Sequence, residues 1–453
     1  MPWQSLWQRE SLSTETGSSL SPDGHFARNV KWQFVANGAQ ALLAGAYIVA
    51  LGRLLGASEF GVFSIVSALI SVAGLLLELR IQDVVARDFC YAGVCAATNG
   101  DGAKIVDLFA LEIVSRLLPA FGLIVLAPLL SASSRLPPAA DSYIVVAALG
   151  YLVAKSGWGV STGALRVLGR TDLIAMCLAA DWGLRLCVTL CCAALWGISV
   201  MKALLIAFIV GGSCNLAQVI IAAREFSRRV APIRFAGWNI SAALTRLRAS
   251  RRLIVSNFGV SASDLMTRDL DIAMISSILP VDKVGLYKLA KSFAQMIWRG
   301  IDPFYLAIMP EVRRLWVIED KLALKTLLRS TSVRLLALSA ALICAAYVVV
   351  AEFGGLVLGA EYPGLPTLML TMSLWIIVCA PLVWAHPLAV AINRPELAVI
   401  GGILGTAVGL AAFWMLTPTL GIWGATIAWS STTIITFSFI AVSSVRFSKL
   451  LYL

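Results

Sequence analysis

Charged residues, histidines and metal-binding spacings are scarce in this sequence. Only 13% of its 453 residues are Asp, Glu, Lys or Arg, and 59% are hydrophobic, whereas an ordinary soluble domain is about 25% charged and about 45–50% apolar. This composition excludes a soluble enzyme, a disordered chain and a small disulfide-linked secreted domain. The two histidines are His25 and His386, and the sequence has no His-x-x-x-His pair, Cys-x-x-Cys pair or Walker loop. We therefore expect no metal, no cofactor and no direct ATP hydrolysis.

Long apolar runs are abundant instead. Crossing the hydrocarbon layer of a membrane takes about 20 such residues in a helix. Twelve runs of this kind lie at about 31–52, 60–79, 105–130, 142–160, 172–195, 202–223, 253–278, 284–308, 331–351, 364–391, 397–416 and 420–445. The sequence therefore predicts an all-α polytopic membrane protein with about 12 transmembrane helices. A polar, flexible tail is expected at 1–30.

The basic residues predict the orientation of these helices. If both termini are cytoplasmic, 25 of the 36 Lys and Arg lie in cytoplasmic segments, four in the opposite loops and seven within spans. Such an excess is typical of the positive-inside rule. The net charge of +11 is thus a sign of topology, and we expect no nucleic-acid partner. The segment 224–252 has eight arginines against one acid, Glu225, which predicts a basic cytoplasmic linker on the inner membrane face.

The two halves of the chain are similar to each other at one constant offset in residue number. Three separated blocks keep this offset: Leu55, Gly61 and Phe63 match Leu279, Gly285 and Tyr287; Arg170, Asp172 and Leu173 match Arg394, Glu396 and Leu397; Gly197 and Ile198 match Gly421 and Ile422. We call it the repeat offset. A repeat with an even number of spans predicts two lobes related by an axis along the membrane normal. We expect pseudo-symmetric six-helix lobes at 31–223 and 253–453, with a central cavity between them.

Polar side chains recur along one face of the first helix in each half. A charge within a span costs roughly a few kcal/mol, so such a face is expected to border water. In span seven, steps of four and three residues place Asn257, Ser261, Asp264, Arg268 and Asp271 on one face. The positions that the repeat offset matches to them, in span one, are Gln33, Asn37, Gln40, Ala44 and Tyr47, and four of these five are polar.

The second helix of each half has a matching face. Span eight has Lys288, Lys291, Gln295 and Arg299, and the matched positions of span two are Ser64, Ser67, Ser71 and Leu75. We infer that spans one, two, seven and eight line the cavity. Its neutral first wall suits sugar hydroxyls, and its basic second wall suits a pyrophosphate. The predicted substrate-binding residues are those of the four faces. The apolar Ala44 and Leu75 and the acidic Asp264 and Asp271 are not among them.

The buried carboxylates leave two interpretations open. Asp264 and Asp271 of span seven and Asp181 of span five are candidates for ion coupling, because desolvation favours the protonated form of an unpaired carboxyl group. The alternative is structural pairing at a spacing of four residues, Asp264 with Arg268 and Asp181 with Arg185.

Three short motifs, in this order, resemble one family of membrane transporters. Residues 55–61 (LGASEFG) resemble an LG-x-x-x-(Y/F)-G segment; 284–290 (VGLYKLA), followed by Pro310, resemble VG-x-Y-x-L-A…P; and 421–425 (GIWGA) resemble G-I-x-G-A. The family is the polysaccharide-transporter, or Wzx-type, branch of the multidrug/oligosaccharidyl-lipid/polysaccharide exporter superfamily, and the resemblance covers about residues 31–445. Two features distinguish the chain from the other branches. It has twelve predicted spans rather than fourteen, and span one has a neutral residue, Gln40, at the position that the repeat offset matches to Asp264.

The resemblance implies a V-shaped flippase that is not an enzyme. It implies movement of an oligosaccharide, linked to an isoprenoid pyrophosphate, across the bacterial cytoplasmic (inner) membrane by alternating access, for O-antigen, exopolysaccharide or another surface polysaccharide. The expected partners are this lipid-linked oligosaccharide, membrane lipids, and a polysaccharide polymerase with other assembly proteins. Coupling to an H⁺ gradient, coupling to an Na⁺ gradient and transport without ion coupling all stay open. The alternatives are a multidrug exporter of the same superfamily and a membrane-embedded polysaccharide polymerase or glycosyltransferase.

Overall fold

The computed structural model describes residues 22–76, 81–82, 84–85, 101–133, 140–230, 245, 266–359 and 361–448. Within these ranges, side chains are described from Gly38 onward, except at 76, 101–103, 131–133, 266–267, 302–303, 306–307 and 310. This part of the chain contains helices and no β-strand. The α-helices are α1 (Pro22–Leu76), α2 (Asp101–Ser133), α3 (Ala140–Lys155), α4 (Trp158–Val167), α5 (Thr171–Trp196), α6 (Val200–Arg229), α7 (Asp271–Ile278), α8 (Val281–Arg299), α9 (Asp302–Val317), α10 (Lys321–Leu358), α11 (Leu365–Cys379), α12 (Ala385–Ala391), α13 (Glu396–Leu420) and α14 (Ile422–Ser448). A π-helical turn lies at Met266–Leu270 and a 3₁₀ turn at Ala380–Leu382.

Nine helical segments in the described part of the chain are long and apolar enough to cross a membrane. The first, Gly38–Leu75, covers most of the predicted spans one and two, and α1 bends between them at Gly56. Gly56 has φ 72° and ψ 171°, a conformation that glycine adopts without steric cost. Predicted span eight, 284–308, extends too far: α8 ends at Arg299, and its basic residues lower its hydropathy, while the remainder belongs to α9. The prediction of an all-α polytopic membrane protein is confirmed.

The backbone conformation follows the repeat offset found in the sequence. Gly169 and Asn393 have φ values of 66° and 60°, and Gly197 and Gly421 have φ values of 65° and 60°. The hydrogen bonds around these turns recur at the same offset. The duplicated sequence therefore folds into two pseudo-symmetric lobes. We call α1–α6 the first lobe and the elements from Met266 onward the second lobe.

Side-chain contacts at the starts of two helices repeat as well. Arg170 pairs with Asp172 at the start of α5, and Arg394 pairs with Glu396 at the start of α13, with N–O distances of 3.1 and 3.2 Å. Each acid lies in the first turn of its helix, where the helix dipole stabilises negative charge. The matched pairs thus fix the start of equivalent helices in the two lobes.

The lobes cross where the second arm of α1, residues 57–76, passes α8. A Cβ atom on Gly61 would overlap the carbonyl oxygen of Val281, and a Cβ atom on Gly285 would overlap that of Ala57. The repeat offset matches Gly61 to Gly285 and Ala57 to Val281. The contact is therefore reciprocal, as a two-fold axis requires. We call it the glycine crossing.

One span in each lobe is broken at matched positions. Gly157, with φ 79°, separates α3 from α4, and its match at the repeat offset, Pro381, lies in the 3₁₀ turn between α11 and α12. In the first lobe, the buried Glu112 carboxylate accepts hydrogen bonds from the N–H groups of Gly159 and Val160, at 2.7 and 2.9 Å. It thereby caps the start of α4, a structural role.

Candidate functional site

A large cavity lies between the two lobes. Its volume is about 1530 Å³, above the range of about 300–1,000 Å³ typical of pockets for drug-sized molecules. The first lobe contributes Ala44, Gly45, Ile48, Ser71 and Trp182 to the described wall. The second lobe contributes the remainder, from the π-helical turn and from α8, α9 and α11–α14. Recognition of a cargo would therefore fall mainly to the second lobe.

Three basic side chains line the second-lobe wall. Arg268, Lys288 and Arg299 border the cavity together with Gln295, as the polar faces predict. The described wall also contains two acids, Asp269 and Glu396, so three basic groups face two acidic ones. This wall has a net positive charge, although part of it is neutralised locally.

Lys288 forms an ion pair that is open to the cavity. Its Nζ lies 2.9 Å from Oδ1 of Asp269, and the two side chains are 19% and 20% exposed. Ser71 of the first lobe also lines the cavity, beside the Asp269 carboxylate. Both side chains keep part of their surface open to the cavity, so another ion can reach the Lys288–Asp269 pair.

Lys291 and Asp271 form a sealed ion pair, although the sequence predicts both on the cavity wall. Neither side chain has any exposed surface, and Nζ of Lys291 lies 2.7 and 2.8 Å from the two carboxylate oxygens of Asp271. Tyr287 donates a hydrogen bond of 2.6 Å to Asp271, and the Trp429 ring centroid lies 5.3 Å from the Lys291 ammonium. These two residues join α7 to α8 and do not line the cavity.

The serine face of predicted span two only partly reaches the cavity. Ser71 lines it. Ser64 is buried and donates a hydrogen bond of 2.6 Å to the carbonyl oxygen of Phe60, on its own helix. Ser67 is half-buried and is not among the residues that line the cavity. The first-lobe wall is thus less polar than its sequence predicts.

The face of predicted span one is described only in part. Tyr47 is buried against Trp182, with ring centroids 5.8 Å apart, and Gln40 is half-buried outside the cavity lining. Asn257, Ser261 and Asp264 lie outside the described residues, as do the side chains of Gln33 and Asn37. Their place in the cavity stays a prediction.

Asp181 pairs with Arg185 along α5. The Arg185 Nε and Nη2 atoms lie 2.7 and 2.9 Å from the two carboxylate oxygens of Asp181. This geometry agrees with the structural pairing that the four-residue spacing indicates. A role of Asp181 in ion coupling stays a prediction.

Four aromatic side chains, which the sequence does not single out, form a continuous part of the wall. The Trp298 ring centroid lies 4.8 Å from that of Trp375 and 5.4 Å from that of Phe437, and the centroid of Trp429 lies 5.5 Å from that of Trp375. All four residues line the cavity. We call them the aromatic cluster. Flat apolar faces of this kind suit the ring faces of sugars.

Asp269 and a tyrosine–histidine pair were also missed by the sequence patterns. Asp269 lies two residues before Asp271 and is therefore off the predicted α-helical face. The π-helical turn carries an extra residue per turn, and in the structure Asp269 borders the cavity while Asp271 is buried. Tyr305 and His386 share a hydrogen bond of 2.6 Å and line the cavity as well.

Hydrogen bonds join the lobes beside the glycine crossing. Arg53 donates to the carbonyl oxygens of Leu356 and Val357 at 2.7 and 2.9 Å, Tyr362 donates to that of Gly52 at 2.8 Å, and Glu361 accepts from the N–H of Ala57 at 3.1 Å. We call these contacts the interlobe latch. Burial and the neighbouring Glu361 raise the pKa of Tyr362, so its hydroxyl stays protonated and can donate.

The latch and the crossing close one end of the cavity. Along α8 the crossing lies at Val281 and Gly285, and the cavity wall runs from Lys288 to Arg299. The closed end is the one that the basic residues predict to be outside. The cavity continues to Pro395, in a loop predicted to be cytoplasmic. With the predicted orientation, this is an inward-facing arrangement.

Replacing Tyr362 by phenylalanine is expected to loosen the closed end. The substitution removes the buried hydrogen bond to Gly52 and keeps the ring, which costs about 1 kcal/mol. Hydrogen exchange of peptides covering 52–61 and 356–365 should become roughly fivefold faster. Tyr347→Phe, at an exposed position of α10, is the matched control. Equal exchange in Tyr362→Phe and the wild type would argue against a latch.

Comparison with known proteins places the chain in a family. It matches the family described as "Polysaccharide biosynthesis protein" over residues 26–316, and a search of curated proteins finds no match. An inward-facing multidrug resistance MATE family transporter of the MOP superfamily has a TM-score of 0.71 at 15% identity, covering 91% of this chain and 96% of that one. An outward-facing transporter of this kind has a TM-score of 0.57 at 14% identity, covering 97% and 100%. The bent form of the Vibrio cholerae MATE transporter VcmN has a TM-score of 0.56 at 15% identity, covering 94% of this chain and 98% of that one.

The comparisons agree with the geometry. The fold is that of the MATE transporters, with two lobes. Because the family match covers more than half of the sequence, the chain belongs to the polysaccharide biosynthesis protein family.

Proposed function

We propose that this membrane exporter is a flippase for lipid-linked oligosaccharides. Its cargo is an oligosaccharide on an isoprenoid pyrophosphate, and it acts in the bacterial cytoplasmic membrane with both termini in the cytoplasm. The observation that carries the proposal is the large interlobe cavity with a basic wall in a chain of the polysaccharide biosynthesis family. A polysaccharide polymerase and other assembly proteins are its expected partners, and an H⁺ or Na⁺ gradient is its expected driving force.

Each part of the cavity suits one part of this cargo. Arg268 and Arg299 supply guanidinium groups, which match the geometry of phosphate oxygens. The aromatic cluster and the Tyr305–His386 pair supply flat faces and hydrogen-bonding groups for sugars. The isoprenoid tail stays in the bilayer, because its transfer into a charged cavity is unfavourable. Only the head group then needs to pass between the lobes.

Transport in this proposal proceeds by rocking of the two lobes. The head group enters from the cytoplasmic side while the interlobe latch and the glycine crossing close the outer end. Opening of these contacts, with closure near Pro395, exposes the same cavity to the outside. The basic wall remains with the second lobe throughout the movement, so the cargo travels bound to that lobe.

Substituting Arg268 or Arg299 by alanine is expected to reduce surface polysaccharide strongly. Loss of one charge-assisted contact to a pyrophosphate, about 1.5–3 kcal/mol, corresponds to roughly a tenfold to hundredfold weaker interaction. The assay measures surface glycan in a host that lacks its own flippase, at matched protein levels. Arg329→Ala, on an exposed part of α10 outside the cavity lining, is the control. Full activity of both cavity variants would refute the proposal.

Export of small amphiphilic drugs is the second candidate, favoured by the likeness to MATE folds. It predicts that deletion of the gene increases drug sensitivity and leaves surface glycan unchanged. Flipping of a lipid-linked glycan predicts that deletion reduces surface glycan and leaves drug sensitivity unchanged. Both measurements on one deletion strain therefore separate the two candidates.

A further inference from the structure

Two lysines of α8 meet two carboxylates from the preceding segment, in contrasting surroundings. Lys291 and Asp271 have no exposed surface, whereas Lys288 and Asp269 each have about a fifth of their side-chain surface exposed. The lysines are three residues apart on α8. The acids are two residues apart, at the end of the π-helical turn and the start of α7, so the two pairs are neighbours. Access to the cavity is the main difference between them. The Lys291–Asp271 pair is sealed, and the Lys288–Asp269 pair is within reach of a cargo.

Asp269 contacts both lobes. It pairs with Lys288 of the second lobe and lies beside Ser71 of the first, which lines the same cavity. Ser71 lies on the same arm of α1 as Gly61, which forms the glycine crossing. A change in the position of the Asp269 carboxylate would therefore alter a direct contact between the lobes, at a site on the cavity wall.

An anionic head group cannot approach Lys288 without also approaching Asp269. The two charged groups are 2.9 Å apart, so a phosphate that binds the lysine is repelled by the carboxylate. Arg268 and Arg299 line the same wall and attract the same anion. Both effects favour a bound state in which the phosphate replaces Asp269 as the partner of Lys288.

We propose that Asp269 is a displaceable counter-ion that links cargo binding to movement of the lobes. In the cargo-free cavity it holds Lys288 and contacts Ser71. A pyrophosphate head group takes over Lys288, the carboxylate moves away, and its contact with Ser71 is lost. This inference rests on the proposed function and assigns Asp269 a positioning role, because it acts on the cargo through Lys288.

The exchange explains how a cargo could favour opening of the closed end. A ligand shifts an equilibrium between two conformations only when it interacts differently with each of them. Here an anion removes the contact of Asp269 with Ser71, which joins the lobes in the inward-facing state. A neutral molecule of similar size leaves Lys288 with Asp269 and retains that contact. The cavity would thus respond to charge as well as to fit.

Binding of farnesyl pyrophosphate to the purified full-length protein tests the exchange. Asp269→Asn is expected to bind this probe roughly fivefold tighter than the wild type, because no carboxylate competes for Lys288. Lys288→Met should bind it more weakly, and the gain from Asp269→Asn should be smaller in the Lys288→Met background, where the carboxylate repels the probe but no longer competes for a lysine. Glu352→Gln, which removes an equal charge from an exposed site outside the cavity lining, is the control and should bind like the wild type.

Hydrogen exchange of peptides 52–61 and 356–365 tests the link to the lobes. In the wild type, farnesyl pyrophosphate should accelerate exchange at both peptides, and farnesol should not. Ser71→Ala should show faster exchange without the probe and little further change with it. Circular dichroism and size-exclusion profiles like those of the wild type establish that each variant is folded.

The outcomes separate this inference from the proposed function. If the wild type binds the pyrophosphate but Asp269→Asn binds it no tighter, or Glu352→Gln gains as much, the counter-ion role is wrong and the flippase proposal stands. If the probe leaves exchange at the closed end unchanged, the link to the lobes is wrong. If the wild type binds no isoprenyl pyrophosphate at all, the proposed function fails and this inference fails with it.

Discussion

Replacing Lys291 by methionine is expected to destabilise the protein more than any substitution on the cavity wall. The change leaves the Asp271 carboxylate fully buried beside a neutral side chain, and removing one partner of a buried ion pair typically costs about 3–5 kcal/mol. We expect a large decrease in the thermal midpoint of the detergent-purified protein and a low level in the membrane. Thermal unfolding followed by tryptophan fluorescence measures the first effect.

A paired substitution shows whether the buried charge is the cause. Lys291→Met with Asp271→Asn removes both charges, and an asparagine oxygen can still accept the hydrogen bond from Tyr287. Replacing a whole buried pair by neutral side chains is often close to neutral, so the double variant should regain most of the lost stability. Lys325→Met, at an exposed position, controls for loss of a lysine. A single variant as stable as the wild type would contradict the role assigned to the pair.

The helical membrane fold and its internal duplication were predictable from the sequence. Apolar runs of about 20 residues give a strong signal, because the bilayer leaves few alternatives to a helix. The match of Gly61 with Gly285 also had a structural meaning, since the two residues form the glycine crossing. A residue type selected by close backbone approach keeps its place in both halves of a duplicated chain.

The cavity lining was predicted less completely, because α-helical spacing does not apply throughout span seven. The π-helical turn at Met266–Leu270 changes the register, and Asp269 lines the cavity while Asp271 is buried. Lys291 was predicted as a cavity residue from its position on the polar face of α8. Its partner comes from a different helix, and periodicity along one helix contains no information about such contacts.

The aromatic cluster was missed for a different reason. Tryptophan is common in membrane helices, and this chain has 14 of them. Trp196 and Trp414 are exposed on the outer surface, where lipid would surround them, whereas Trp375 and Trp429 are buried at the cavity. Residue type alone does not distinguish these surroundings. Only the packing of α8 with α11 and α14 brings the rings together.

Replacing Gly285 by alanine is expected to abolish transport while leaving the protein folded. The added methyl group would overlap the carbonyl oxygen of Ala57 in the glycine crossing, and backbone atoms cannot move aside as a flexible side chain can. Overpacking of this kind typically costs about 1–3 kcal/mol, which shifts a conformational equilibrium roughly fivefold to more than a hundredfold. Only the conformation with a closed crossing is penalised, and alanine itself favours the helix.

The expected result is a monodisperse, helical variant whose closed end stays open. Hydrogen exchange of peptides 52–61 and 356–365 should be faster than in the wild type, and surface polysaccharide should be lost in the flippase-deficient host. Gly61→Ala should behave in the same way, because the crossing is reciprocal. Gly122→Ala is the control, since a Cβ atom there meets no neighbouring atom within 4 Å. Normal transport by both crossing variants would show that the lobes need not approach so closely, and alternating access through this contact would then be wrong.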